Sequence, residues 1–262
     1  LIMIISAFAA LTAMGGATRA SIFLGRGDRA GAEKILGNCV TGAVSASLVL
    51  TVVFLLFSRP LLMAFGASEE TIGYAVQYMR IYALCTLLVE LALVLNAFIT
   101  AQGFASVAMI SVLIGAVANM ILDAILIPGL GMGVAGAALA TIISQTISAL
   151  LVLICLIRSD GVLHLCKGEL RLHPDKVKGM LRIGLPAGIQ GCIFNISNVL
   201  SQSSVNSFGS LVMAGNTAAS NIEGFVYNGM NAIYQTALSF TSQNYGARQY
   251  HRISRVMRLC LA

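Results

Sequence analysis

ANMILDAILIPGLGMGVAGAALATIISQ, residues 118–145, decides how this chain folds. Two strongly apolar helical segments meet there at a glycine-rich corner, and one carboxylate, Asp123, sits inside the first. An ionised carboxylate in hydrocarbon costs several kcal/mol, so an acid there points to a protein interior or a wet cavity. Gly131-Met-Gly-Val-Ala-Gly136 also spells a dinucleotide fingerprint. That fingerprint needs a βαβ unit with an acid about 20 residues later. Here the following segment, Ala137 to Ile157, is apolar on every face and uncharged, so the glycines read as a tight turn with close helix packing.

Composition agrees. Hydrophobic residues make up 58% of the 262 positions and charged residues 10%, with mean hydropathy +0.88. A soluble domain carries roughly 25% charged residues, so the chain reads as an all-α, polytopic helical membrane protein. Apolar stretches that can cross a bilayer need about 20 residues. They are predicted at roughly 1–24, 37–57, 73–101, 104–127, 134–157, 183–208 and 217–243, with an eighth opening near 252. The chain starts inside an apolar stretch at Leu1 and stops at Ala262 just after another begins, the pattern expected of a segment of a longer protein. Pro60, Pro128 and Pro186 fall at or near the expected span ends, where a missing N–H costs least.

Basic residues set the sidedness. Arg26, Arg29 and Lys34, then Arg158 through Arg182, then Arg248, Arg252, Arg255 and Arg258 fall on one side, against Arg59 beside Glu69 and Glu70 on the other. The basic side is therefore expected in the cytoplasm. The net charge of +6 reflects that topology and gives no nucleic-acid patch. The six cysteines lack Cys-x-x-Cys spacing and read as buried thiols, and His164, Cys166 and His173 lack the spacing of a zinc site. Intramembrane hydrolases need histidines or paired aspartates at depth. All three histidines lie in expected cytoplasmic segments, so no enzyme is expected.

The polar stretch 158–182 reads as a connector between two halves: residues 1–158, a linker at 159–180, and residues 181–262. A faint repeat supports this. Gly246, Ser242 and Arg255 follow Gly25, Ser21 and Lys34 by a constant 221 positions. Parallel repeats are one way to build a transporter with a site between halves.

Asp123 has two readings, an ion pair with Arg80 on the preceding helix or an acid that carries a proton or meets a cation. Glu90, with Asn96 near it, lies at mid-depth in the third span. Glu223, Tyr227 and Tyr234 share a helical face, which suits an organic cation through charge and cation–π contact, or else ordinary packing. Asn195, Asn198, Gln202 and Asn206 form one polar stripe, and Asn221, Asn228, Asn231 and Gln235 another. Such faces point inward, towards a wet cavity or towards interhelical bonds. Tyr74, Tyr78 and Tyr82 stack at four-residue spacing, either as interface anchors or along a pathway.

Several segments together resemble the multidrug and toxic compound extrusion (MATE) transporters. They are Gly25-Arg-Gly-Asp28 with Ala32-Glu-Lys34, Asn119-Met-Ile-Leu-Asp123, Gly131 through Thr141, Ile183-Gly-Leu-Pro186 with Gln190, and Phe240-Thr-Ser-Gln-Asn-Tyr-Gly-Ala247. The resemblance implies twelve helices in two lobes and cation-coupled export by alternating access. This chain would cover helices two to eight and the start of nine. It places Asn119 and Asp123 on the family's motif, Glu223 where related members often carry an acid, and Gln190 beside the Ile183 motif. A coupling carboxylate on the family's first helix lies outside this chain, and the seventh helix lacks the glutamate some branches use for sodium. Protons rather than sodium are therefore expected to couple transport, with no other cofactor. Partners implied are the lipid bilayer and drug-like or cationic compounds, acting on a full-length monomer of the cell membrane. The rival readings are a lipid-linked oligosaccharide flippase, which would want cavity cations and finds only Arg19 and Arg80 as candidates, and a membrane sensor or enzyme.

Overall fold

A computed structural model of the chain describes residues 2–64, 72–158, 163–165, 167–206 and 208–261. Glu69, Glu70 and Cys166 lie outside them. Among the described residues every regular element is helical: α1 (Ile2–Gly25), α2 (Arg29–Leu56), α3 (Ser58–Ala64), α4 (Ile72–Leu84), α5 (Thr86–Ala101), α6 (Ala105–Ala124), α7 (Gly133–Arg158), α8 (Pro174–Asn206), α9 (Ser210–Gly246) and α10 (Tyr250–Leu261). By length and composition α2, α6 with the turn after it, α7 and α8 can each cross a bilayer, and α4 with α5 is a bent pair, either a broken fifth span or a re-entrant loop.

The corner at 125–132 is a helical hairpin. Pro128 cannot donate to a helix ladder, and the chain widens into a single π turn, Ile125–Gly129. Leu130 N–H donates to the Ile125 carbonyl at 3.0 Å and Met132 N–H to that of Leu126 at 3.1 Å. Gly131 and Gly133 take φ of 64° and 52°, a left-handed backbone that favours glycine. The chain then returns as α7 against α6.

The span expected over 73–101 is bent: α4 and α5 meet at 54° around Cys85. No proline or glycine stands there. The cause sits on a neighbour: Thr51 Oγ1 of α2 donates to the Ala83 carbonyl at 2.9 Å, and Cys85 N–H bonds Tyr82 at 3.0 Å in a tighter turn. A side chain inserted into the i→i−4 ladder is a recognised cause of a kink.

The connector also differs. The end of the expected linker and the span from 183 are one helix, α8, starting at Pro174 with Asp175 in its first turn. Proline at the first helical position loses only an orphan N–H. Pro186 therefore lies inside a helix and not at a span end. Pro60 sits in the first turn of the short α3. The segment expected to open an eighth span forms α10, which buries no residue.

α1 is the central element, packed on α2, α5, α8 and α9. Small residues make this possible: Ala13, Ala17, Ala20 and Ala32 are buried, and Gly16 leaves room for Cys39 and Phe98. Around them pack Ile35, Leu36, Leu95, Phe98, Ile99, Val152 and Leu156, each at most 1% exposed. Each such side chain contributes roughly 1.5–3 kcal/mol when taken from water; against lipid, the same residues contribute packing rather than water release. Polar bonds gather at one end. Leu163 N–H donates to Gln102 Oε1 at 3.0 Å, His164 N–H to Glu33 Oε1 at 3.4 Å and His173 N–H to Asn38 Oδ1 at 2.7 Å. The loops that carry the basic residues thus share one end of the bundle.

Candidate functional site

The site is a cleft where α1 and α5, from the first half of the chain, face α9 from the second. α1 presents Ala9, Ala13, Ala17 and Ser21, spaced by four residues and therefore stacked on one face. Alanines there leave space that larger side chains would fill, and the result is a cleft of about 430 Å³. α5 contributes Leu93, Asn96 and Thr100, and α9 contributes Gln235, Leu238 and Ser239. Among these described lining residues none is charged. A pocket of apolar wall with a few neutral hydrogen-bonding groups is the usual chemistry of small-molecule sites. Asn96 is partly committed, since its Nδ2 donates to Ser111 Oγ at 3.3 Å on α6. Towards the basic end the cleft closes: Gln243 Nε2 of α9 donates to the Ala101 carbonyl at 2.6 Å.

The three acids singled out in the sequence do not converge. Glu90 is wholly buried, and neither carboxylate oxygen has a hydrogen-bond partner. It lies three and seven residues before Leu93 and Ala97, on the cleft's face of α5, but one turn beyond the lining. The Thr86 hydroxyl, four residues earlier, is also buried without a partner. Asp123 is half-buried at the last turn of α6, beside the π turn. One turn before it the Asn119 Nδ2 is buried and unpartnered, so these two form a separate polar site. The ion pair with Arg80, one of the two readings of Asp123, does not form among the described residues. Arg80 is exposed on α4, on the far side of the Cys85 bend from the buried Glu90.

Glu223 is exposed on α9. Twelve residues before Gln235, it is about 18 Å along the axis and a third of a turn around it. Tyr227, one turn on, stacks on Phe194 of α8 at 6.3 Å between centroids, while Tyr234 is exposed. Gln190 lines a groove on α8 with Leu185, Pro186, Ile189 and Phe194. Asn198 and Gln202 are exposed, and Gln202 Oε1 accepts from Asn216 Nδ2 at 3.4 Å. The side chains of Asn195 and Asn206 lie outside the described residues. Of the second polar stripe, Gln235 reaches the cleft, and Asn228 and Asn231 continue its face outward as exposed residues. The lining alanines of α1 were not singled out in the sequence; their four-residue spacing was the available signal.

The family model MatE matches residues 1–125 and 186–262, the stretches that build both walls of the cleft. The chain belongs to the MATE transporter family. A relative, the multidrug export protein MepA of Staphylococcus haemolyticus, is 31% identical over 200 residues, 74% of this chain and 44% of that protein. The chain thus spans less than half the length of the curated relatives it matches. A MATE transporter solved in an outward-facing conformation superposes with a TM-score of 0.86 at 24% identity. One solved in an inward-facing conformation superposes at 0.76 and 25% identity. Both cover 99% of this chain, and the chain covers 58% and 59% of theirs. The helical bundle is therefore the MATE fold, and the cleft is walled by helices from both matched stretches.

Proposed function

We propose that the protein exports lipophilic, often cationic, compounds by alternating access, drawing them through the cleft between α1, α5 and α9 in exchange for protons across the cell membrane. In this reading residues 1–158 form the first lobe, 159–180 the connector and 181–262 the start of the second lobe. The observation that carries it is the cleft itself, a mixed apolar and neutral polar space walled by both halves and closed at the basic end. Closure at that end fits the better superposition on the outward-facing relative. The multidrug function of MepA supports the substrate class.

Asp123 beside Asn119, and Glu90 beside Thr86 one turn beyond the cleft lining, are the carboxyl groups that would carry the proton. A proton on such an acid removes a negative charge, so proton and organic cation compete for one charge and exchange without touching. A lipid-linked sugar carrier would need cations in the cleft, and neither Arg19 nor Arg80 lines it. The test is dye and drug export by the full-length protein in a pump-deficient host, comparing wild type with Asp123→Asn, Glu90→Gln and Glu223→Gln. Loss of export in Asp123→Asn with normal expression is expected. Unchanged export in all three removes these acids from the mechanism.

A further inference from the structure

At the basic end the two halves meet around a second cavity that the transport reading does not use. It is a polar groove of about 640 Å³, floored by Gly25 and Gly246 and walled by Arg26, Arg248, Tyr245 and Tyr250. One arginine comes from the turn after α1 and the other from the turn after α9. Arg248 takes φ 58°, a left-handed backbone that a non-glycine residue rarely adopts, and such outliers cluster at functional positions. Neither arginine has a carboxylate partner among the described residues. Asp28 is turned away, accepting from Gly31 N–H at 2.8 Å to cap α2, and Glu33 pairs with Arg29.

The charge there is reinforced. Phe23 carries Arg26 at 5.6 Å, Arg19 at 5.9 Å and Lys176 at 4.3 Å from its ring centre. Three cations on one ring, Arg26 of the groove among them, with Arg248 across from it, leave a concentrated positive field at the level where the positive-inside rule places the cytoplasmic headgroups. Guanidinium groups grip phosphate oxygens with paired N–H donors, and tyrosine rings settle at headgroup depth.

We propose that this groove binds a phosphate-bearing anion, and that the anion ties the turn after α1 to the turn after α9. Basic pockets between membrane helices on the cytoplasmic side suit anionic headgroups, and each arginine is worth about fivefold in affinity near an anionic surface. Replacing both should weaken binding about 25-fold.

The experiment titrates the purified full-length protein with short-chain phosphatidylglycerol, with short-chain phosphatidylcholine and with inorganic phosphate, read by thermal stabilisation and native mass spectrometry. Phosphatidylglycerol is expected to stabilise and stay bound, and phosphatidylcholine to do neither. Binding that inorganic phosphate cannot displace identifies a lipid headgroup; displacement by it identifies a soluble phosphate at the same place. Arg26→Gln/Arg248→Gln should lose about 25-fold, Arg26→Lys/Arg248→Lys should bind between the two, and Arg171→Gln on the exposed connector should match wild type. Should the double variant not fold, the single variants, each about fivefold weaker, carry the comparison. Wild-type binding in the Gln variants, equal loss in Arg171→Gln, or no binding of either anion overturns the proposal.

Discussion

Gly25 and Gly246 close on each other as a reciprocal pair. A Cβ on Gly25 would overlap the carbonyl oxygen of Gln243, and a Cβ on Gly246 would overlap that of Ile22. Gln243 follows Ile22 by the same 221 positions that separate the glycines, so the faint repeat becomes a local two-fold contact at the basic end of α1 and α9. It is a contact of the kind small residues allow between membrane helices, where backbones approach closely.

A methyl group on either glycine has no room to be absorbed by a flexible side chain, because the atoms it meets are backbone. Gly25→Ala and Gly246→Ala should each destabilise by about 1–3 kcal/mol, the usual cost of overpacking. The double variant should cost less than the sum, since both break one contact. Gly215→Ala and Gly224→Ala, on the same helix with nothing within 4 Å, should be neutral or stabilising by up to about 1 kcal/mol. Thermal unfolding in detergent measures all five variants. Additive loss at 25 and 246 would separate the two contacts.

The bend at Cys85 depends on one interhelical bond, Thr51 to the Ala83 carbonyl. Thr51→Val keeps the shape and removes the donor, so it should cost about 0.5–1.5 kcal/mol and reduce the 54° angle between α4 and α5. Spin labels on the exposed Tyr74 and Leu93 positions would report the angle as a longer distance. An unaltered distance means that packing alone holds the bend.

These elements also show what the letters could carry. The corner at 125–132 and the common side of the basic loops were legible because each is local: a proline and a pair of glycines, a run of arginines. The bend was not, because its cause is thirty-two residues away on α2. The start of α8 at Pro174 was legible in principle, from proline followed by an acid, but the polarity of the connector masked it. The acids are the instructive case. Their place within helices could be read, whereas their facing could not, since a third of a turn on α9 moves Glu223 away from the Gln235 face. The cleft was written instead in absence of bulk, the alanines at 9, 13 and 17.

Those alanines make a steric prediction. Ala13→Phe or Ala17→Phe places a ring inside a cleft of about 430 Å³, so export of large dyes should fall several-fold more than export of small organic cations. Gln235→Leu removes a polar group of the α9 wall without closing the space and should shift substrate preference towards neutral compounds. Export rates for a size series of dyes in cells, normalised to protein in the membrane, test both. Equal loss across sizes for Ala17→Phe would indicate misfolding and not occlusion.

Glu90 offers the sharpest separation of stability from function. Its carboxyl group is fully buried and both oxygens lack partners, and replacing an unsatisfied buried polar group with an apolar one of similar size returns its desolvation cost, about 1–3 kcal/mol. Glu90→Leu should therefore raise thermal stability in detergent. An intramembrane ionisable residue that costs stability is retained for its chemistry, so the same variant should lose proton-coupled export, with Glu90→Asp keeping part of it. A Glu90→Leu protein that is both more stable and fully active would show that this carboxyl group takes no part in transport, leaving Asp123 and Asn119 as the coupling site.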